Sequence, residues 1–402
     1  MKNVREIIYE RFIKPFATKN TGNVGVELEF PLINSNGGDI DTPFVASIMD
    51  FIEEKGFHMV LSGTGGEKLF MENDKGDCLS FDNSYNNFEF SMMYGDNLLD
   101  IKNRFDGYYT MVQEYLSHKG HRLVGIGTNP NAKNLSINHT PFSTYNMVQK
   151  YLHQSPGKHP YNDFPAIMSS VQTHLDINEE NLPRAYTLFC RLDFVRALLF
   201  GNSPDFEGRG WRIFRDYLWE KSGFGNCPEI TGSVDRSFES TDDIIDFYSE
   251  KGLFNRIRDG EYEVFSPIRI KDYFSDPRYG AEEKDIECYL SFRNVELTCR
   301  GTLEVRSDCT QKEGRFFMPP AFNLGILNNM DAAKKTLDAF LQNCGEDKKP
   351  SELRRFAAEG REEEIAPRYI LDELCVKMLE IAREGLIRRG KGEEKLLEFD
   401  TV

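Results

Sequence analysis

Apolar and polar positions alternate with a period of two from Val24 to Leu32, where the chain reads VGVELEFPL. Residues i and i+2 of an extended strand share a face, so Val26, Leu28 and Phe30 take one side and Glu27 and Glu29 the other. Further strand-like runs fall at 57–61, 68–71, 78–82, 87–92, 122–127 and 167–177. Segments 293–299 and 302–308 read as a hairpin turning at Arg300-Gly301. Helical periodicity covers 2–16, 43–56, 97–119, 181–200 and 210–220. Segments 128–143, 223–235 and 273–285 read as loops, and the chain from about 320 onward is helical apart from a charged break at 345–365. The pattern predicts one α+β unit over 1–402, with a sheet-containing core (1–325) and a helical C-terminal extension (326–402).

Two carboxylates on one mostly buried strand face repel each other and lose hydration, and a hard divalent cation offsets both costs. An isolated ELE equally fits a half-wet strand with a solvated acidic face. Three more segments repeat the device. LSFDNSYNNFEFS carries Asp82 and Glu89, the latter between Phe88 and Phe90 and so on the opposite face from them. TLEVRSD puts Glu304 and Arg306 on one face, either as a surface ion pair or as a metal ligand beside a phosphoryl clamp. SVQTHLD does the same with Gln172 and His174, which suit a metal, a nucleotide or an ordinary structural role. Ligating side chains on one face of successive antiparallel strands describe a cup for two or three Mg²⁺ ions with bound ATP.

Composition narrows the classes. At 402 residues and 40% hydrophobic, the chain can bury a large core. A formal net charge of −16 argues against nucleic acid or an anionic membrane as the main partner. No window approaches the ~20 apolar residues of a membrane span. The segment MKNVREIIYERFIKPF reads as an amphipathic helix rather than a secretory signal. The eight cysteines include no CxxC pair and fit neither a zinc site nor a compact disulfide scaffold, so a cytoplasmic protein is expected. The GTGG turn at 63–66 lacks the Lys-Ser/Thr ending of a P-loop, and no G-x-S-x-G elbow occurs.

The order of these segments resembles the glutamate–cysteine ligase family of ATP-dependent carboxylate–amine ligases, and its plant-like branch most closely, over about 22–335. GVELEF is similar to the family's opening strand, whose paired acids bind magnesium, and SFDNSYNNFEFS to its second acidic segment. LVGIGTNP, YNMVQKYL (Tyr145), SSVQTHLD, FGNSP (Asn202, Ser203), FRDYLW (Arg215) and TLEVRSD resemble later family elements in the same order. Two departures stand out: His174, where the plant-like branch usually has Asn, and Ser143-Thr144 before Tyr145, where it usually has Gly-Arg.

The resemblance implies a glutamine-synthetase-like fold, a curved antiparallel sheet lining the active site with helices outside. It implies ATP with Mg²⁺ (or Mn²⁺) as cofactors, held by Glu27, Glu29, Asp82, Glu89 and Glu304. Arg306, with Glu304, would serve the transferring phosphoryl group; Gln172 and His174 would serve nucleotide or metal. Tyr145, Arg215, Asn202 and Ser203 would bind substrate. The implied reaction phosphorylates the glutamate γ-carboxylate and then joins it to the amine of cysteine. A different amine (another amino acid, a polyamine or a natural-product intermediate) is the alternative within this chemistry, and a non-catalytic nucleotide- or amino-acid-binding relative is the alternative outside it.

Overall fold

Val24–Asn34 forms β1, and its alternation sorts the side chains as expected: Val26, Leu28 and Phe30 enter the core, while Glu27 and Glu29 line a cavity on the other side. The structure is a computed structural model and describes residues 2–19, 22–227, 230–344 and 347–398. Twelve further strands follow. They are β2 (His58–Ser62), β3 (Lys68–Glu72), β4 (Cys78–Phe81), β5 (Asn87–Gly95), β6 (His121–Leu123), β7 (Ser170–Asp176), β8 (Thr231–Gly232), β9 (Gly252–Arg258), β10 (Glu261–Arg269), β11 (Phe292–Arg293), β12 (Val295–Leu297) and β13 (Thr302–Cys309).

The large sheet runs β12-β13-β7-β1-β5-β4-β3-β2, with β6 also on β1, and its strands pair antiparallel throughout. One face is packed with aromatic rings. Phe30 meets Phe90 and Phe316 edge-on at 5.7 and 4.9 Å, and Phe105, on the helix Leu98–His118, meets Phe90 at 5.1 Å. Each fully buried Phe stabilises the fold by roughly 1.5–3 kcal/mol, which fixes the register and so fixes what the opposite face presents.

The helices are α1 (Val4–Ile8), α2 (Thr42–Glu54), α3 (Leu98–His118), α4 (Ser143–Gln154), α5 (Leu182–Arg191), α6 (Asp193–Phe200), α7 (Phe214–Glu220), α8 (Thr241–Ser249), α9 (Ile270–Ser275), α10 (Met318–Leu327), α11 (Met330–Cys344), α12 (Pro350–Ala358) and α13 (Arg368–Arg389). Asp41 caps α2 by accepting from the Phe44 N–H at 2.8 Å, with Pro43 in the first turn. A second, smaller core around Tyr151, Phe164, Phe214 and Phe224 forms under α4 and α7 and lends Val148 and Met168 to the cavity wall.

Several expectations need correction. The 122–127 strand stops at Leu123, because the backbone beyond it turns to Asn202: the Gly125 carbonyl accepts from the Asn202 amide at 2.9 Å and the Gly127 N–H donates to the Asn202 carbonyl at 2.7 Å. The 181–200 helix divides at Leu192 into α5 and α6, turning Asp193 into a buried polar cluster. Helix 210–220 begins only at Phe214; the N–H groups of Arg212 and Ile213 instead donate to the Ala358 carbonyl. The 273–285 loop opens with the end of α9, and the 345–365 break, whose residues 345 and 346 lie outside the described part, contains α12. The hairpin β9–β10 and helix α8 were not anticipated.

Candidate active site

The register of the sheet sets the site. Across β13, β7 and β1, Glu304 pairs with His174 and His174 with Gly25. One step along, Gln172 pairs with Glu27 and Glu27 with Ser91 of β5. A further step brings Glu29 opposite Glu89, itself opposite Ser80. Three ranks of polar side chains therefore stand on the face away from the aromatic core.

Of these, Glu27, Glu29, Glu89, Gln172 and Glu304 line a cavity of about 370 Å³ together with Asp82, Tyr145, Ser170, Arg215, Arg300 and Arg306. Opposite the sheet, Val148, Met168, Trp219, Leu290 and Phe292 give it an apolar wall. Asp82 reaches the cavity from the end of β4 through a tight turn in which Asn83 adopts a left-handed backbone (φ 57°), a conformation Asn tolerates better than most residues. The Asn83 amide then donates to both Asp82 carboxylate oxygens at 3.0 Å.

Glu29 is held firmly. It accepts from the Ser170 N–H at 2.8 Å, the Ser170 hydroxyl at 3.1 Å and the Gln172 amide at 2.7 Å. Burial and the neighbouring Asp82 charge nevertheless push its carboxyl up to about 7, against the pull of Arg215 and these donors. Burial, then repulsion from Glu27, Asp82 and Glu29, pushes Glu89 well above the ordinary carboxylate range. Asp82 is also raised, chiefly by burial, although Asn83, Tyr145 and Arg306 favour its charge.

Glu27 behaves oppositely. Burial works against its charge, but His174, Arg300 and Arg306 together bring it down to about 2. His174 lies 3.0 Å from Glu27 through Nε2 and 3.3 Å from the Thr302 hydroxyl through Nδ1. Burial opposes the imidazolium, and the Glu27 charge outweighs it, raising the His174 pKa. Ligating atoms of Glu27, His174 and Glu304 all lie within 4.8 Å of one another.

This donor set fits a divalent cation. Carboxylates that hold each other's pKa high are relieved by a positive ion at their centre. Hard oxygen donors suit Mg²⁺, and an imidazole among them suits Mn²⁺ as well.

Arg306 donates to the Ser291 carbonyl at 3.2 Å and lies 3.7 Å from Glu304, with Phe292 beneath its guanidinium at 5.8 Å. Burial opposes its charge, but Glu304, Glu29 and Glu27 raise its pKa further.

Of the residues expected from sequence, Glu27, Glu29, Asp82, Glu89, Tyr145, Gln172, Arg215, Glu304 and Arg306 line this one cavity, and His174 joins Glu27 and Glu304 at its edge. Asn202 and Ser203, also expected at the substrate, do not line it. The Asn202 amide donates to the carbonyls of Gly125 and Thr310 at 2.9 and 2.8 Å, and the Ser203 hydroxyl accepts from the Arg215 N–H at 2.9 Å. Arg215 directs both Nη groups at main-chain oxygens, Ser307 at 3.2 Å and Arg306 at 3.0 Å, so it braces the β13 bulge as well as facing the cavity.

Ser170 and Arg300 escaped the sequence reading. Ser170 was findable, since it sits two residues before Gln172 on the same strand face. Arg300 was named only as a turn residue; the next residue, Gly301, has φ 75°, and a Cβ there would lie 2.3 Å from the Pro15 carbonyl oxygen. Only glycine fits that turn, which aims Arg300 at Glu27, 3.7 Å away.

The sequence matches the family described as glutamate-cysteine ligase family 2 (GCS2) over residues 23–394, and the chain belongs to that family. Comparison with curated protein sequences gives no significant match. Among solved structures the chain is similar to a bifunctional glutathione synthetase from Pasteurella multocida, at 12% identity and TM-score 0.48 over 98% of this chain and 52% of that one. It thus spans about half the length of that protein. It is also similar to glutamate–cysteine ligase from Francisella tularensis in complex with AMP, at 12% identity and TM-score 0.39 over 96% and 84% of the two chains. Among the described residues no helix is long and apolar enough to cross a membrane.

Proposed function

We propose that this chain is an ATP-dependent ligase that activates the glutamate γ-carboxylate as an acyl phosphate and joins it to the amine of cysteine. The observation that carries the reading is the convergence of Glu27, Glu29, Asp82, Glu89, Glu304 and Arg306 on one cavity from three segments distant in sequence. Family membership over residues 23–394 supports the same chemistry.

A carboxylate resists attack because its oxygens repel an incoming amine, and phosphorylation replaces one of them with a leaving group. Divalent cations, when bound, would neutralise the nucleotide's phosphate oxygens. Glu27, His174 and Glu304 would hold one, and Glu29, Asp82 and Glu89 another. Arg306 is fixed by Ser291 and Phe292, so its planar donors meet the charge that develops on the transferring phosphoryl group without reorganising. Gln172 and Ser170 orient Glu29. Tyr145, which lines the cavity beside Asp82, would position the glutamate.

The test is ADP release with Mg²⁺-ATP and glutamate across a panel of amines, with hydroxylamine as the trap. Glutamyl hydroxamate and a cysteine-dependent rate support the reading. ATP–Mg²⁺ binding with no turnover on any amine would refute it.

A different amine is the second reading, favoured by the apolar wall of Val148, Met168, Leu290 and Phe292 and by Thr144 in the cavity lining. Another amine outranking cysteine in the same panel would decide for it.

A further inference from the structure

A second cavity, of about 290 Å³, lies between α7, α12 and the segment around β8. Both tryptophans of the chain, Trp211 and Trp219, line it. Trp219 also lines the candidate active site, where Phe292 stacks on it at 5.0 Å, so one indole is a wall common to both cavities. A second link runs through Arg354 of α12. Its guanidinium donates to Asp216 at 2.7 and 3.1 Å and to the Ser307 carbonyl at 3.2 Å, the same oxygen that Arg215 holds.

The lining has a definite charge character. Asp216, Glu220 and Glu352 face two guanidiniums, Arg354 and Arg355; Asp216 is taken by Arg354, Glu352 accepts from the Lys349 N–H, and Glu220 holds only a solvent-accessible pair with Lys221, which an incoming ammonium can replace. Arg354 is fully engaged with Asp216, Asp193 and Ser307. Two indoles beside Glu220 favour an ammonium group on an apolar body, because the acid attracts the cation while the rings cover the apolar part. The volume suits a molecule of amino-acid size.

We propose that this cavity binds a small primary ammonium compound with an apolar body. Such a compound has two sources: the acceptor amine of the ligase reaction, or an effector that acts through Trp219 and Arg354. The link to turnover rests on the reading of the first cavity as the active site; the binding itself does not.

Intrinsic tryptophan fluorescence of the full chain reads occupancy directly. Titration with phenethylamine and with cadaverine should give a saturable change with at least one of them, and Glu220→Gln and Trp211→Phe should each weaken it by about tenfold. Trp219 remains as the reporter in Trp211→Phe. With Mg²⁺-ATP and glutamate present, incorporation of the amine into product identifies the acceptor, and an altered ADP-release rate without incorporation identifies an effector. No saturable change, unaltered binding in both variants, or tighter binding of L-phenylalanine than of phenethylamine would overturn the proposal. Saturable binding with neither effect on turnover would overturn its link to the active site. Saturable binding in a chain that turns over no substrate would instead count against the ligase reading and leave this site standing.

Discussion

His174 Nε2 lies 3.0 Å from Glu27 Oε1, on the neighbouring strand. The pairing is a direct product of register, since β7 and β1 place Gln172 opposite Glu27 and His174 one rank away, opposite Gly25. It draws the Glu27 carboxyl down, whereas Glu89 in the same cavity is pushed well above the ordinary carboxylate range.

Replacing Glu27 with Gln removes one metal-ligand oxygen and the anionic partner of His174. Turnover should fall by at least about a hundredfold, as for loss of a transition-state electrostatic group. Glu27 is the partner of the buried His174 and its charge is favoured in the folded state, so the melting temperature should fall modestly while the fold persists. Steady-state ADP release and a melting curve check both; near-native turnover would remove this strand from the metal wall.

Arg306→Lys keeps the charge and loses the fork. Activity should drop by about a hundredfold with KM for ATP changed less than kcat, because the planar donors act on developing charge. A fall of only a few-fold would leave Arg306 as a partner of Glu304 and Ser291 alone.

Arg354 is a different case. It is buried among Asp193, Asp216 and Ser307, and Arg354→Met would leave two carboxylates short of their cation. Removing one member of a buried ion pair costs about 3–5 kcal/mol, so urea denaturation should show a lower midpoint. A midpoint within error of the parent would mean that the C-terminal helices do not brace β13.

The pH dependence has a definite sign. Glu29 has a folded pKa of about 7 against an unfolded value of about 4.3. The folded state then binds the extra proton, so stability falls as pH rises from about 4.3 through about 7. Glu89, Asp82 and His174 are raised too and act in the same direction. Glu27 acts the other way, but only where pH falls below its unfolded value toward about 2. Urea denaturation in EDTA should therefore show stability declining from about pH 5 to 7.5, with a shallower slope in Glu29→Gln and in saturating Mg²⁺. An equal slope in the parent and in Glu29→Gln would contradict the assignment.

The acidic strands were readable because a period of two needs only near neighbours. Val26, Leu28 and Phe30 declare the core face, and Glu27 and Glu29 follow from it. The rest depended on partners far along the chain. Asn202 looks like a substrate residue until its amide is seen on the carbonyls of Gly125 and Thr310, and Arg215 looks free until Ser307 takes one of its donors. Helix α12 was hidden by its own charge: SELRRFAAEG reads as a solvated break, yet Arg354 is buried against two acids. The β9–β10 hairpin carried a usable signal, the Asp259-Gly260 turn with both residues at positive φ, between a strand buried over its first four residues and a half-exposed one.

Anomalous diffraction from crystals grown with Mn²⁺ and a non-hydrolysable ATP analogue tests the central claim most directly. Manganese peaks should lie among Glu27, His174 and Glu304 and among Glu29, Asp82 and Glu89, with the terminal phosphate near Arg306. Ordered nucleotide and metal elsewhere on the chain, with these side chains unengaged, would contradict it.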